Sequence, residues 1–192
     1  MTQPAKVLAP ADVRRVQARV RRGCFALRNH AVVLLSYKCG LRACEIAGLT
    51  WSMVLTPRGR VSAALRVAGR VAKNGRGRTI PMHPELRAAL EALHKERGRP
   101  RDGAVISSQR GGHMRPRSIV NWFGALYAEL GLHGCSSHSG RRTFATRAAK
   151  AISKAGGSLR DVQELLGHAA LSTTQAYLEG DRDAQRRVVR ML

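Results

Sequence analysis

The stretch LLGHAALSTTQAY, residues 165–177, sets His168 nine residues before Tyr177. Gly167 predicts the end of one helix just before that histidine. A lone tyrosine in a helix is usually a half-buried packing residue, and a lone histidine is usually structural. Three other segments weaken that ordinary interpretation, because each carries charged or titratable side chains that could act together with a histidine and a tyrosine. They are GLRACEIAGLTW (40–51), AKNGRGRTIPM (72–82) and HSGRRTFAT (138–146).

The composition points to a globular domain with a polyanionic partner. The chain has 192 residues, of which 44% are hydrophobic and 4% aromatic, so its core must consist mainly of Leu, Val, Ile and Ala. Its formal charge of +22 comes from 34 basic and 12 acidic residues spread along the chain. Such a surplus favours nucleic acid first and an anionic membrane second, and a ribosomal or other generic basic protein also fits. Most of the basic residues are arginines, whose planar fork donates two hydrogen bonds to one phosphate.

Apolar spacing and turn residues predict an α+β fold, mostly α, in which a small antiparallel sheet is inserted among helices. The helices are expected at residues 10–22, 31–37, 42–49, 84–97 and 117–130, with more helical sequence after Gly140 that breaks near 156–157, 167 and 180. The strands are expected at 61–67 and 78–82, with a short third one at 104–107.

The compartment and membrane expectations follow from what the sequence contains. The four cysteines form no C-x-x-C pair, and residues 1–10 carry no apolar signal segment, so we expect reduced thiols in a cytoplasmic, nucleoid-associated protein. The longest strongly apolar run, 31–35, is too short to span a bilayer. We therefore expect no membrane partner.

The four segments together hold the groups that metal-free phosphodiester cleavage requires. Such a reaction needs a side-chain oxygen that attacks phosphorus, and fixed cations that meet the charge developing on the non-bridging oxygens. It also needs a general acid for the departing sugar oxygen and a group that takes the nucleophile's proton. One hydroxyl, two arginines, a lysine and one or two histidines would meet these needs without metal or cofactor.

At these residues the chain resembles the tyrosine recombinase family, also called phage integrases. The family's G-L-R-x-x-E motif is matched by residues 40–45, and its H-x-x-R motif by His138 and Arg141. Its L-G-H motif, with a tyrosine nine residues after the histidine, is matched by 166–168 and Tyr177. Its hairpin lysine, which precedes an R-x-x-P stretch, is matched by Lys73. Each motif alone is common, but four in this order and spacing form a specific signal.

The resemblance implies a role for each matched residue. Arg42 and Arg141 would clamp the scissile phosphate, and Lys73 would protonate the leaving 5′-oxygen. His138 would accept a proton near the Tyr177 hydroxyl. The other two roles belong to His168, which would hydrogen-bond a non-bridging oxygen, and to Tyr177, which would form a 3′-phosphotyrosyl bond.

Four more residues are predicted to support that site. Glu45 would orient arginine or histidine side chains from behind. Arg76 and Arg78 of the GRGR segment, which lacks the ending of a phosphate-binding loop, would contact the DNA backbone, as would Arg142.

The resemblance covers roughly residues 10–180, which leaves residues 1–9 as an arm and 181–192 as a tail helix that would dock on a neighbouring protomer. Two departures concern the second motif: Gly140 replaces the family's usual leucine, and Arg142 its usual histidine. Both weaken what the family pattern predicts about packing there, but neither removes a chemical group. Few residues precede the first helix, so the sequence represents either a short single-domain member or a fragment of a longer one.

Ordinary interpretations remain open for several of these residues. Arg42 could be a surface charge, Glu45 a partner in a helical i, i+3 pair, and Lys73 a solvated turn residue. His133, Cys135 and His138 could suggest zinc, but their spacing fits no common site and a fourth ligand is not evident, so no metal is expected. The remaining candidates are expected to be structural or packing residues: Tyr37, Tyr127, His30, His83, His94 and His113.

Three functions remain in competition. The favoured one is a site-specific recombinase acting on double-stranded DNA as a homotetramer on paired sites. The second is DNA relaxation by a monomer, as in a type IB topoisomerase, which the apolar tail residues Val188, Val189 and Leu192 disfavour because they need a partner. The third is a non-catalytic DNA-binding module.

Overall fold

A computed structural model describes residues 5–72 and 75–175 of the chain. Within these ranges, eight α-helices, three short 3-10 helices and one two-stranded antiparallel sheet follow one another. The α-helices are α1 (Pro10–Arg21), α2 (Ala26–Cys39), α3 (Ala43–Ala47), α4 (Pro84–Glu96), α5 (Pro116–Glu129), α6 (Ser139–Ala151), α7 (Leu159–Leu166) and α8 (Leu171–Gln175). The strands β1 (Ala64–Val67) and β2 (Arg78–Pro81) lie between α3 and α4, which confirms the predicted fold class.

The sheet pairs Ala64 with Pro81 and Val67 with Arg78. Its first strand begins three residues later than expected, because Val61 pairs with Leu55 in an isolated bridge instead. The predicted strand at residues 104–107 is wrong. That segment is buried at Val105 and Ile106, but it makes only single bridges at its two ends and no continuous ladder. Burial explains the apolar pattern without a strand, because a short apolar run does not distinguish a buried strand from another buried segment.

Helix α2 is the centre of the fold and packs against α1, α4 and α6. It begins at Ala26, five residues before the expected Ala31, because the polar residues Arg28, Asn29 and His30 separate Leu27 from the apolar run. Residues 31–37 are all buried, so the helix is covered on every side. Gly40 ends it in the left-handed conformation (φ 64°), as predicted, and the Gly40 N–H bonds to the Leu35 carbonyl.

Helix α6 approaches α2 closely at Gly140. A Cβ atom added to Gly140 would lie 2.2 Å from the Ser36 hydroxyl oxygen, and 2.9 Å from the Ser36 Cβ. At this departure from the family pattern the packing is therefore close. The missing side chain lets the two helix backbones come together.

The apolar interior divides into two clusters. The larger one is continuous and draws buried residues from α1 through α5, including Val16, Leu34, Leu90 and Phe123. The smaller one lies between α6 and α7 and has, among the described residues, three buried members: Ala145, Val162 and Leu166. Helices α1 to α5 are thus supported by much more buried apolar surface than α7 is.

The described part of the predicted arm lies against the body of the domain. The Lys6 N–H donates to the Gly134 carbonyl, and the Leu8 N–H to the Thr143 hydroxyl at 2.8 Å. Leu8 is buried within the larger cluster. Among the described residues, no helix is long and apolar enough to cross a membrane.

Candidate active site

The carboxylate of Glu45 is the centre of the candidate site. Gly40 closes α2, Arg42 is extended (φ −77°, ψ 158°), and α3 then begins at Ala43. This turn places Glu45 in the first turn of α3, where its Oε2 accepts the Arg42 backbone N–H at 2.9 Å. The Glu45 side chain is completely buried.

Two arginine side chains meet this buried carboxylate. Arg78 binds it with both ends of its fork, at 2.8 Å from Nη1 to Oε1 and 3.0 Å from Nη2 to Oε2. The Arg42 Nη1 lies 3.4 Å from Oε1. Burial raises the pKa of Glu45, but the hydrogen bonds and charge of Arg78, the Arg42 N–H and the charge of Arg141 outweigh it, so the net pKa is lowered. Glu45 therefore remains a carboxylate that holds two guanidinium groups in place.

Arg78 occupies a different position from the one predicted. Its side chain is 7% exposed and turns inwards to Glu45, where a contact with DNA phosphate was expected. Its Nε also donates to the Leu165 carbonyl at 3.0 Å, near the end of α7. A Cβ on Gly167 would come within 3.0 Å of the Arg78 side chain. Arg78 thus connects β2, α3 and the turn that follows α7.

Arg141, on the first turn of α6, joins two helix ends. Its Nη1 donates to the Gly40 carbonyl at 2.5 Å, and its Nη2 to the Leu166 carbonyl at 2.8 Å. Gly40 is two residues from Arg42, and Leu166 is two residues from His168. The guanidinium is therefore in direct contact with the segments that carry both residues. Carbonyl groups at helix C-termini carry partial negative charge, which favours a cation at this point.

His168 follows the turn at Gly167 (φ 63°) and is 8% exposed. Burial lowers its pKa to about 4, and the charges of Arg141, Arg42 and Arg78 act in the same direction, against a smaller opposing effect of Glu45. The imidazole is therefore neutral at pH 7. Because the Arg141 guanidinium binds the Leu166 carbonyl, two residues before His168, the His168 turn adjoins the first turn of α6.

The remaining described candidates lie at the surface of this cluster. His138 is exposed and precedes the first residue of α6, one helical turn before Arg141. Arg142 is half-buried, and Arg76 is exposed just before β2. Arg76 lines an open cleft between β2 and α7, together with Arg160 and His168.

Two predicted site residues, Lys73 and Tyr177, lie outside the described residues, as does the predicted tail helix 181–192. The flanks of Lys73 are described: a 3-10 helix, Gly69–Val71, precedes it, and the Gly75 N–H bonds back to the Ala72 carbonyl. For Tyr177, the described chain reaches Gln175 in α8.

The residues expected to be structural are found in packing or hydrogen-bonding roles. Tyr37 and Tyr127 are buried, at 6% and 2% exposure. His94 packs against Trp51 with the two rings tilted by 46°, and it bonds to the Pro100 carbonyl. The other expected structural histidines bond to nearby groups: His83 Nδ1 accepts from the Glu85 N–H, His113 Nδ1 lies 2.7 Å from the Ala47 carbonyl, and His30 contacts Arg21. Among the described residues, no cluster of His, Cys, Asp or Glu could hold a metal ion.

Sequence reasoning missed two residues that fix His168. The Gln163 Nε2 donates to the His168 carbonyl at 3.0 Å, and the Thr174 hydroxyl lies 2.9 Å from the His168 Nδ1. Both side chains are buried. Their polar character at positions facing the protein interior was the available signal, because buried polar groups are nearly always hydrogen-bonded.

Comparisons with known proteins identify the family of the chain. The model of the phage integrase family matches residues 6–183. The tyrosine recombinase XerC of Rhizobium meliloti (strain 1021) is 38% identical over 159 residues, which cover 79% of this chain and 45% of that protein. XerC of Brucella suis biovar 1 (strain 1330) is 33% identical over 183 residues, covering 90% and 54%. The chain spans about half the length of these curated relatives.

Solved structures show the same fold. The Tn1549 transposon integrase in complex with a circular intermediate DNA has a TM-score of 0.76 at 20% identity, covering all of this chain and 67% of that one. The XerA recombinase has a TM-score of 0.73 at 23% identity, covering 98% and 65%. Since the family's model matches almost the whole sequence, this chain belongs to the phage integrase family.

Proposed function

We propose that this chain is the catalytic domain of a site-specific recombinase that cuts and rejoins double-stranded DNA through Tyr177, without metal or cofactor. The observation that carries the proposal is the position of the Arg141 guanidinium. It donates to carbonyls two residues from Arg42 and two residues from His168. Three separate motifs of the chain would thereby supply two cations and one neutral imidazole to a single place.

These groups suit a phosphodiester under attack. The two guanidinium groups would neutralise the non-bridging oxygens as negative charge develops on them, and they need no reorganisation because Glu45 and backbone carbonyls already hold them. His168, neutral at pH 7, would donate a hydrogen bond to one of those oxygens. Exposed His138 would accept the phenolic proton of Tyr177.

The proposed reaction balances without an external energy source. The Tyr177 oxygen forms a bond to phosphorus, and the bond from phosphorus to the 5′-oxygen breaks. Lys73 would protonate that departing oxygen. The resulting 3′-phosphotyrosyl ester keeps the free energy of the broken link, so a 5′-hydroxyl can reverse the step and rejoin DNA without ATP.

The charge distribution supports DNA as the partner. The net charge of +22 predicts an affinity that falls steeply as salt rises. Helix α5 presents Arg117 and Asn121 on its exposed face while Ile119 and Phe123 are buried. Arginine and asparagine are the side chains that recognise guanine and adenine edges in the major groove, so α5 is the proposed reader of sequence.

Recombination requires two DNA sites, so we propose a homotetramer assembled on paired sites in the cytoplasm. The tail, 181–192, carries apolar residues that would bind a neighbouring protomer. Single-protomer relaxation of DNA would not need such a contact.

The direct test is capture of a covalent adduct. The full chain is incubated with nicked duplexes whose central region is randomised, the complexes are denatured in detergent, and the DNA that stays attached is sequenced. We expect selected duplexes that contain inverted repeats, and adducts that form equally in EDTA.

Tyr177→Phe should abolish the adduct, whereas Tyr127→Phe, which changes a buried packing residue, should keep it. If no duplex yields an adduct, the protein is a non-catalytic binding module. If it relaxes supercoiled plasmid that lacks the selected repeats, the topoisomerase function is correct instead.

A further inference from the structure

The His168 ring is held by a hydroxyl group that comes from the next helix. The Thr174 Oγ1, on α8, lies 2.9 Å from the His168 Nδ1. Thr174 is completely buried, and His168 is 8% exposed, so the contact is sheltered from solvent. Within the described residues, this is the hydrogen bond that the Thr174 hydroxyl makes.

The direction of this bond decides where the imidazole carries its proton. A neutral imidazole has one N–H donor and one nitrogen acceptor, and a hydroxyl can serve as either partner. Guanidinium groups from three other elements, Arg42, Arg78 and Arg141, act on the ring together with burial and outweigh the opposing effect of Glu45. A second proton on the ring is therefore disfavoured, and the ring offers one acceptor.

We propose that Thr174 is a positioning residue that donates its hydroxyl proton to the His168 Nδ1 and so keeps the ring proton on Nε2. This inference rests on the proposed function of the site, in which His168 donates a hydrogen bond to a phosphate oxygen. With the proton on Nδ1, the ring would present a lone pair to the phosphate and repel it. A hydroxyl proton donated to Nδ1 is compatible only with the tautomer that the reaction uses, in which the ring proton is on Nε2.

The backbone and the ring of His168 are fixed by different side chains. Gln163 holds the backbone, since its amide donates to the His168 and Ala169 carbonyls. The hydrogen bond of Thr174 is instead to the ring, at Nδ1. Removal of the Thr174 hydroxyl should therefore change the tautomer while the turn at Gly167 keeps its shape.

The same bond also connects two segments of the chain that have separate roles in the proposed reaction. Thr174 stands three residues before Tyr177 and six after His168. One hydroxyl group therefore ties the segment that leads to the proposed nucleophile to the imidazole that would stabilise the transition state.

The tautomer can be measured without DNA. In the full chain with 15N-labelled histidine at pH 7, the His168 signals are identified by their loss in His168→Gln. We expect an Nδ1 shift typical of an unprotonated ring nitrogen and an Nε2 shift typical of an N–H. Thr174→Val, which keeps the shape and removes the hydroxyl, should give a mixture of tautomers. The signals should be unchanged in Thr174→Ser, and in Thr173→Val, which alters the exposed neighbour.

The second readout is the rate of adduct formation on duplexes selected with the wild-type chain. Thr174→Val should slow it by about 10- to 100-fold, as is usual when the partner that orients an active group is removed. Thr174→Ser should restore most of the rate, and Thr173→Val should leave it unchanged.

The possible results separate this inference from the proposed function. A wild-type His168 with its proton on Nδ1, or a Thr174→Val chain with unaltered signals or rate, overturns the role of Thr174. Equal slowing in Thr174→Val and Thr174→Ser does so too, because it indicates packing and not the hydroxyl. Absence of any adduct from the wild-type chain instead overturns the proposed function, while the ring signals still decide the direction of the bond.

Discussion

The two halves of the site are supported in different ways. Arg42 and Glu45 follow α2, which lies within the larger apolar cluster. His168 follows α7, whose apolar support is the small cluster around Val162 and Leu166. Burial of apolar surface is the main stabilising force in proteins, so the first half should be far more stable than the second.

Polar contacts compensate for the missing apolar support of α7. Arg78 donates to the Leu165 carbonyl, and Arg141 donates to the Leu166 carbonyl. Arg78 lies on β2, whose Ile80 belongs to the larger cluster, and Arg141 lies on α6, which packs against α2. Arg141 is proposed to bind the phosphate, and Arg78 holds Glu45. Both arginines therefore also attach the second half of the site to the first.

The largest expected effect comes from breaking this attachment at Arg78. Arg78→Met leaves the buried Glu45 carboxylate with Arg42 as its remaining ion-pair partner, and loss of one member of a buried pair costs about 3–5 kcal/mol. We expect the free energy of unfolding, measured in urea, to fall by about 3 kcal/mol.

Two variants make this measurement specific. Arg76→Met, at an exposed position two residues away, should change stability by less than about 0.5 kcal/mol. Adding Glu45→Gln to Arg78→Met should recover part of the loss, because it removes a buried charge that has lost its bidentate partner. If Arg76→Met were as damaging as Arg78→Met, the attachment would not depend on the ion pair.

The next largest effect is on the stability of the protein at acidic pH. In the unfolded chain His168 should bind a proton near its ordinary pKa of 6.5, but in the folded chain only near pH 4. Between these values the unfolded state binds more protons, so stability falls as the pH is lowered from about 6.5 to 4.

The lowered pKa values of Glu45, His30 and His83 act in the same direction. His168→Gln should therefore flatten the decline, by about 2 kcal/mol over this range, without abolishing it. Identical curves for His168→Gln and the wild type would contradict a buried, neutral His168.

A matched pair of substitutions compares the two clusters directly. Val32 in α2 and Val162 in α7 are both buried in helices, and each loses about 1.5 kcal/mol of transfer free energy on substitution by alanine. Val32→Ala should lower global stability. Val162→Ala should instead increase native-state hydrogen exchange mainly in residues 159–168. Equal, molecule-wide effects of both would show that α7 unfolds with the body.

The smallest expected effect lies at the surface of the site. Arg76→Gln should remove one phosphate contact, which reduces the slope of log affinity against log salt by about 0.9. The change is measured on any long duplex, since it should not depend on sequence. An unaltered slope would place Arg76 outside the DNA interface.

The sequence predicted the local structure around Arg42 and Glu45 better than the long-range contacts that link the two halves of the site. The Val13, Val16 and Val20 spacing and the Gly40 stop define α1 and the end of α2, and they are local signals. The pairing of Arg42 with Glu45 is local too, at three residues apart. Arg78, in contrast, finds Glu45 across 33 residues and Leu165 across 87, and no local pattern distinguishes it from the exposed Arg76.

Gly140 carries a consequence for attempts to improve the protein by reference to its relatives. Installing the leucine that the family usually has there would drive its first carbon into the Ser36 hydroxyl oxygen, 2.2 Å away. Positions 36 and 140 are therefore interlocked, and neither can follow a consensus alone. Chimaeras that exchange α6 with a relative should fail to fold well unless the facing turn of α2 is exchanged as well.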